Sequence, residues 1–347
     1  MKHISRSNSQ ADATIASLPD VPWPSVDASK PATLLTRCPA AAETPLPSSP
    51  ALAQKAGVAD VAIKDERMRM GLGSFKALGA AYVIACDAEA GLAHGRTYAT
   101  ASAGNHGLSV AAGAQAFGAQ AVIYLAETVP EAFADRLRSF GADVRRHGAV
   151  YEDSMTEAKR AADANGWELL SDSSWPGYFD VPHRLMEGYT VLMQETVAAM
   201  HAPTHIFLQA GVGGLAAACA AYARTSWGDE PRIVVVEPEV APALFASITA
   251  GCAQVTEGPS SDMGRLDCKE PSLIALKGLA RDANDFVLIT EQEGFDGAAA
   301  CTEAGFASST SGAAGLSALL ASTTHRDTLG LTDASRVLVI LSEEASG

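Results

Sequence analysis

From about residue 60 onward, short apolar or β-branched runs alternate with Ala-rich stretches of helical length, and this alternation limits the possible folds most. The runs are VAIK at 61–64, TYAT at 97–100, AVIYL at 121–125, WELL at 167–170, HIFLQ at 205–209, RIVVV at 232–236, FVLIT at 286–290 and RVLVIL at 336–341. Between most of them lie Phe75–Glu89, His106–Phe117, Glu131–Phe140, Ser154–Asn165, Glu187–Met200 and Gly214–Thr225. A strand buried on both faces reads as a continuous apolar run, and strands separated by helices imply βαβ crossovers. The expected fold class is α/β with open, mostly parallel sheets. The first 50 or so residues differ: SLPDVPWPSVDASKPATLL and ETPLPSSPAL carry too many prolines for long helices. They read as an extended arm with one or two short elements, lying on the main body.

The 347 residues correspond to about two domains. With 25 Lys plus Arg against 40 Asp plus Glu, the net charge of −15 argues against a nucleic-acid partner, which needs clustered cations. No apolar run approaches the ~20 residues of a membrane span. The start, MKHISRSNSQ, lacks the apolar core of a secretory signal, so a cytoplasmic location is expected. The six cysteines are scattered without a C-x-x-C pair, as befits reduced thiols rather than a zinc ribbon or disulfide scaffold.

Three loops carry candidate chemistry. In GLGSFK, Lys76 opens a helix, where the positive dipole end disfavours a cation. That field, with partial burial, is expected to lower the amine pKa and favour Schiff-base formation. TASAGNHG, after the strand TYAT, places free N–H groups at a strand's C-terminal end, where open α/β sheets bind ligands. AGVGGL, after HIFLQ, allows positive φ and a close approach of phosphate to the backbone, although it is neither a P-loop nor a full dinucleotide fingerprint. Each has a plainer reading alone: a solvated lysine, a polar helix-capping turn and a tight strand-to-helix turn. Together they fit pyridoxal 5′-phosphate (PLP), and Ser342, ending RVLVILS, offers a hydroxyl for the pyridine nitrogen.

In this order and spacing the motifs resemble the fold-type-II, tryptophan-synthase-β-like PLP enzymes. The branch most resembled is that of the diaminopropionate ammonia-lyases. GSFKALGAAY, TASAGNHGLSVA, AVIYLAETVPEAFADRLRSFGADV, SDSSWPGY, MEGYTVLMQE, AGVGGL, VVVEPE and MGRLDCKEPS carry the likeness from about residue 30 to the end. SDSSWPGY and MGRLDCKEPS are the narrowest markers. The resemblance implies a small α/β domain, 85–190, inserted in a large PLP-binding domain, 51–84 plus 191–347. The arm, 1–50, packs on the large domain, the cofactor lies in the cleft and the protein is a homodimer.

It further implies that Lys76 carries PLP, Asn105 binds its 3′-oxygen, and Gly211, Val212, Gly213, Gly214 and Leu215 cradle its phosphate. Ser342 faces the ring nitrogen and Phe75 packs the ring. Ser102, Ala103, Gly104 and His106 frame the substrate carboxylate. Lys76 removes the Cα proton, and Asp172 is the candidate general acid for a leaving β-amine. The expected reaction converts L-2,3-diaminopropionate to pyruvate and ammonia. A threonine/serine-type dehydratase, a lyase for another β-substituted alanine, a β-replacement synthase and a catalytically silent PLP-binding scaffold remain open.

Some positions depart from the branch. Its asparagine turn often reads T-T-D-G-N-H-G, with the Asp thought to act as base for the D-enantiomer; Ala103 stands there. KEP replaces G-E-P, placing Lys269 near the expected site, and the end, SEEASG, lacks the usual EGN-like segment. Some dehydratase relatives bind a divalent cation through a Glu and an Asp six residues later; here Glu237 is followed by Ala243, so no metal is expected.

Overall fold

The computed structural model describes residues 1–345, so the last two residues of SEEASG and of the expected large domain lie outside the described part. Among the described residues, ten strands form two sheets: β1 (Lys2–Ser5), β2 (Asp60–Asp65), β3 (Thr97–Ala101), β4 (Gln120–Leu125), β5 (Asp143–Arg146), β6 (Glu168–Leu169), β7 (His205–Gln209), β8 (Arg232–Pro238), β9 (Asp285–Ile289) and β10 (Arg336–Leu341). The larger has the order β1-β9-β8-β7-β10-β2 and the smaller β5-β4-β3-β6. All pairings are parallel except that of β1 with β9. The fold is the α/β architecture of open, mostly parallel sheets that the sequence pattern implies.

Every expected run forms a strand, and the two strands not expected are both edges. β5 reads DVRR and pairs only with β4, so one side of its backbone is open and no apolar run is required. β1 brings the start of the arm into the larger sheet as an antiparallel edge. The central strands are the most enclosed: Ile206, Phe207 and Leu208 of β7 and Ile233, Val234 and Val235 of β8 have no exposed surface.

The helix Asp180–Ala199 begins seven residues before the expected Glu187, because Pro182 lies in its first turn, where a missing N–H costs nothing. It crosses the helix Ala77–Glu89 at close range. A Cβ on Gly188 would collide with the Leu78 carbonyl oxygen, and one on Gly79 would lie 2.6 Å from Tyr189 Cε1. The expected domain boundaries at 84/85 and 190/191 fall inside these two packed helices rather than in linkers.

Strand order explains where a site forms. From β3 the chain winds outward through β4 to β5, then returns to place β6 on the other side of β3. From β7 it winds through β8 to β9, then returns to place β10 on the other side of β7. Each sheet thus has a topological switch point, and open α/β sheets bind ligands beyond the strand ends at such points. The loops after β3 and β6 contain Asn105 and Asp172; those after β7 and β10 contain Gly211–Leu215 and Ser342.

Candidate active site

Lys76 is delivered by a strained, firmly held loop. Met70 adopts a left-handed φ of 53°, a conformation a side chain rarely takes. Beside it, the fully buried guanidinium of Arg69 forms one two-pronged contact with Glu66 (2.7 and 2.8 Å) and another with Glu195 (2.7 and 2.8 Å). Lys64 also reaches Glu195, and Thr44 from the arm donates to Glu66 and accepts from Arg69. This cluster ties β2, the arm and the helix Asp180–Ala199 to the base of the lysine loop. Further on, Phe75 N donates to Ser342 O at 3.0 Å and Glu344 N to Gly73 O at 3.0 Å, so the loop lies against the end of β10.

The Lys76 ammonium donates to Asp172 Oδ2 at 2.6 Å, across 96 positions of sequence and between the two sheets. It also lies 5.2 Å from the centre of the Phe75 ring and 5.8 Å from that of Tyr189, which meet edge to face. Here the expectation of a lowered amine pKa is corrected. Burial does penalise the ammonium, but the Asp172 carboxylate, aided by the Tyr189 hydroxyl, outweighs it and raises the pKa. Burial likewise works against ionised Asp172, yet Lys76 and His106 hold its carboxyl well below the ordinary range. In this pairing Asp172 is an acceptor; it becomes an acid only after receiving a proton.

Around the asparagine turn, the N-cap residue of the helix Asn105–Ala116 is Gly104, which has no side chain to cap it, and the Ser102 hydroxyl takes one first-turn N–H in its place. The Ser102 hydroxyl accepts from Gly104 N at 3.2 Å and Gly107 N at 3.1 Å, and Arg265 Nη1 donates to Ala103 O at 2.9 Å. His106 is buried; burial lowers its pKa, and its Nε2 meets the Leu170 carbonyl at 2.9 Å while Nδ1 has no partner. A carbonyl can only accept, so the proton sits on Nε2 and Nδ1 holds a free lone pair.

At the glycine loop, Gly213 adopts φ +97° and the helix Gly214–Trp227 starts without a side-chain cap. Its first N–H groups have no intrahelical acceptors and carry the positive end of the helix dipole, which suits a phosphate. A Cβ on Gly211 would lie 2.9 Å from Cys268 Sγ, so the segment Met263–Ser272 lies directly over this loop. Ser342 Oγ accepts from Gln209 Nε2 at 3.1 Å, which leaves its own hydrogen for a further acceptor.

The structure therefore gathers Lys76, Phe75, Asp172, the Ser102–His106 turn, Gly211–Leu215 and Ser342 at the facing strand ends of the two sheets. Sequence reasoning missed Tyr189, whose buried hydroxyl has no partner, and Cys268, whose thiol burial pushes up to about 12. Both stand inside quoted motifs, MEGYTVLMQE and MGRLDCKEPS, and that was their only signal. Lys269, by contrast, is turned to the loop carbonyls of Val240 and Pro259 and to Asp267. Glu237 accepts from Leu244 N (2.7 Å) and Phe245 N (2.8 Å) and caps the helix Ala243–Ala250.

Parallel sheets facing each other at their switch points around the half-buried Lys76 define an enzyme of fold type II that works through PLP. An uncapped glycine turn for phosphate, a lysine amine and a free hydroxyl are the donor set this cofactor requires. The chain belongs to the pyridoxal-phosphate dependent enzyme family, whose sequence profile matches residues 38–343. It is 32% identical to the diaminopropionate ammonia-lyase of Escherichia coli strain K12 over 266 residues, covering 70% of this chain and 67% of that one. It is 33% identical to the human serine dehydratase-like protein over 210 residues, 60% of each chain. The crystal structure of E. coli diaminopropionate ammonia lyase in complex with D-serine superposes with a TM-score of 0.88 at 26% identity, covering 99% of this chain and 93% of the other. The protein is a PLP-dependent lyase of the β-eliminating kind.

Proposed function

We propose that the chain eliminates the β-amine of L-2,3-diaminopropionate, yielding pyruvate and ammonia. The observation that carries this reading is the Lys76–Asp172 pair, a base and a proton carrier 2.6 Å apart at the meeting of both sheets. PLP, when bound through Lys76, supplies an electron sink that acidifies the substrate's Cα hydrogen. Gly211–Leu215 hold its phosphate, Asn105 and Ser342 bind the ring oxygen and nitrogen, and Phe75 packs the ring. A neutral hydroxyl at Ser342 leaves the ring a weaker sink than a carboxylate partner would, which favours elimination over transamination.

The turn Ser102–His106 receives the substrate carboxylate at a helix start where Ser102 caps only the Gly107 N–H. Lys76 Nζ, once released as a neutral amine, takes the Cα proton. That proton passes along the existing hydrogen bond to Asp172 Oδ2, which delivers it to the departing β-nitrogen as the Cβ–N bond breaks. Water then completes hydrolysis of the released aminoacrylate to pyruvate and ammonia. Asp172→Asn retains the shape but cannot carry the proton, so turnover of diaminopropionate falls by about 10²–10⁴-fold. Steady-state keto-acid release measures this, and turnover within a few-fold of the parent removes Asp172 from the relay.

Ala103 bears on both stereochemistry and the alternative substrate. A methyl group takes no proton, so no base stands at this point of the turn, and the L-enantiomer is expected to turn over at least ~10²-fold faster than the D. The same alanine favours a second reading, dehydration of serine or threonine. A panel of L- and D-diaminopropionate, serine, threonine and other β-substituted alanines, reading keto acid, tests both. Fast dehydration of serine with slow release from diaminopropionate replaces the first reading with the second.

A further inference from the structure

Glu343 follows Ser342 at the end of β10 and is 6% exposed, yet the reaction as derived above does not use it. Its Oε2 accepts from Asn105 Nδ2 at 2.5 Å, and its Oε1 accepts from Ser309 Oγ in a short hydrogen bond. Ser309 Oγ also accepts from Gly312 N at 2.9 Å, so its single hydrogen is free to serve Glu343. The Glu343 backbone is held as well, since Ser308 Oγ donates to its carbonyl at 2.6 Å. Arg265 Nε lies 3.8 Å away, and Asp262 shares with both residues the lining of a cavity of about 210 Å³. Burial raises the Glu343 pKa, opposed by the Ser309 hydroxyl, Arg265, Lys76 and the Asn105 amide, while the adjacent Glu344 is paired with Arg136 at 3.3 Å.

An asparagine amide has two ends of nearly equal shape and opposite polarity, so steric fit alone does not fix which one meets a ligand. An ionised carboxylate accepts and does not donate. In its ionised form Glu343 therefore admits the Asn105 amide in one sense only, with Nδ2 toward the carboxylate as the structure has it. One hydrogen of Nδ2 goes to Glu343, and the second is available to an acceptor. Ser309 and the β10 backbone fix Glu343, Glu343 fixes Asn105, and Asn105 stands at the first turn of its helix beside Lys76.

We propose that Glu343 is a positioning residue that locks the Asn105 amide as a hydrogen-bond donor toward the ring oxygen of PLP. This rests on the PLP reading of Lys76 and Asn105, and the test separates the two. The affinity of the protein for PLP, and for a PLP analogue lacking the ring oxygen, is measured by fluorescence titration. The proteins compared are the parent, Glu343→Gln and Ser309→Ala, each with Asn105 intact and as Asn105→Ala. Glu343→Gln can offer Asn105 either polarity, and the freed amide is expected to weaken PLP binding about tenfold, the size of one hydrogen bond. With Asn105→Ala, or with the analogue, the same substitution is expected to change affinity less than about twofold, because the interaction it acts through is gone. Ser309→Ala, which leaves Glu343 in place, is expected to weaken PLP binding in the same direction and by less, and carries the test if the glutamine variant does not fold. Unchanged affinity in Glu343→Gln, or an equal loss in both Asn105 backgrounds, overturns the positioning role. A parent protein that binds no PLP, or binds it at another lysine, overturns the underlying reading.

Discussion

Lys76→Ala is expected to reduce keto-acid release from diaminopropionate by at least about 10⁴-fold, because on the proposed reading one substitution removes both the cofactor's tether and the base that takes the Cα proton. Borohydride treatment of the parent holoenzyme should fix the cofactor to Lys76, and the variant should retain no covalent label. Lys64 is the informative control. It is fully buried, and its ammonium is held by Glu195 and the Thr44 carbonyl. The substitution also leaves the Asp172 carboxylate without its counter-ion, so burial should raise its pKa. In the parent, Asp172 is held below the ordinary carboxylate range, so its contribution to stability is present above about pH 4 and is lost on further acidification. Lys76→Ala should lack that acid-side loss. Label on Lys64, or residual turnover above about one part in a hundred, would contradict this account.

The second large effect is on folding. Arg69→Met leaves Glu66 without its cation and strips one of two from Glu195, all beneath the protein surface. Breaking a buried ion pair from one side typically costs about 3–5 kcal/mol. Thermal unfolding should therefore drop by roughly 5 °C, at about 1.4 °C per kcal/mol for a chain of 347 residues. Adding Glu66→Leu to Arg69→Met should recover part of the loss, since the uncompensated charge is then removed. A decrease below about 1 kcal/mol by urea unfolding would mean that water reaches the cluster and replaces the guanidinium.

How far the sequence leads is seen best at particular residues. β7 and β10 are legible because a strand covered on both faces must be apolar throughout. β1 and β5 are not, because an edge strand escapes that demand. The loops bearing Lys76, Asn105 and Gly213 are legible from turn chemistry at strand-to-helix junctions. Their meeting is not, because it depends on strand order, which local pattern does not encode. The raised pKa of Lys76 follows from the same gap: its helix start is visible in sequence, but its partner comes from a loop 96 positions away. Glu343 looks like one of several acidic residues near the chain's end, and only the enclosing Ser309, Arg265 and Asn105 distinguish it. Lys269 shows the converse, a charged residue in a diagnostic motif that serves loop carbonyls.

The contact between Lys76 and Asp172 is also one of the few charged fastenings from one sheet to the other. With PLP tethered through Lys76 the amine would no longer be a free ammonium, so this fastening would loosen, and release of the lysine would restore it. On the proposed reading, the hold between the sheets and the state of the lysine would thus share one switchable clasp.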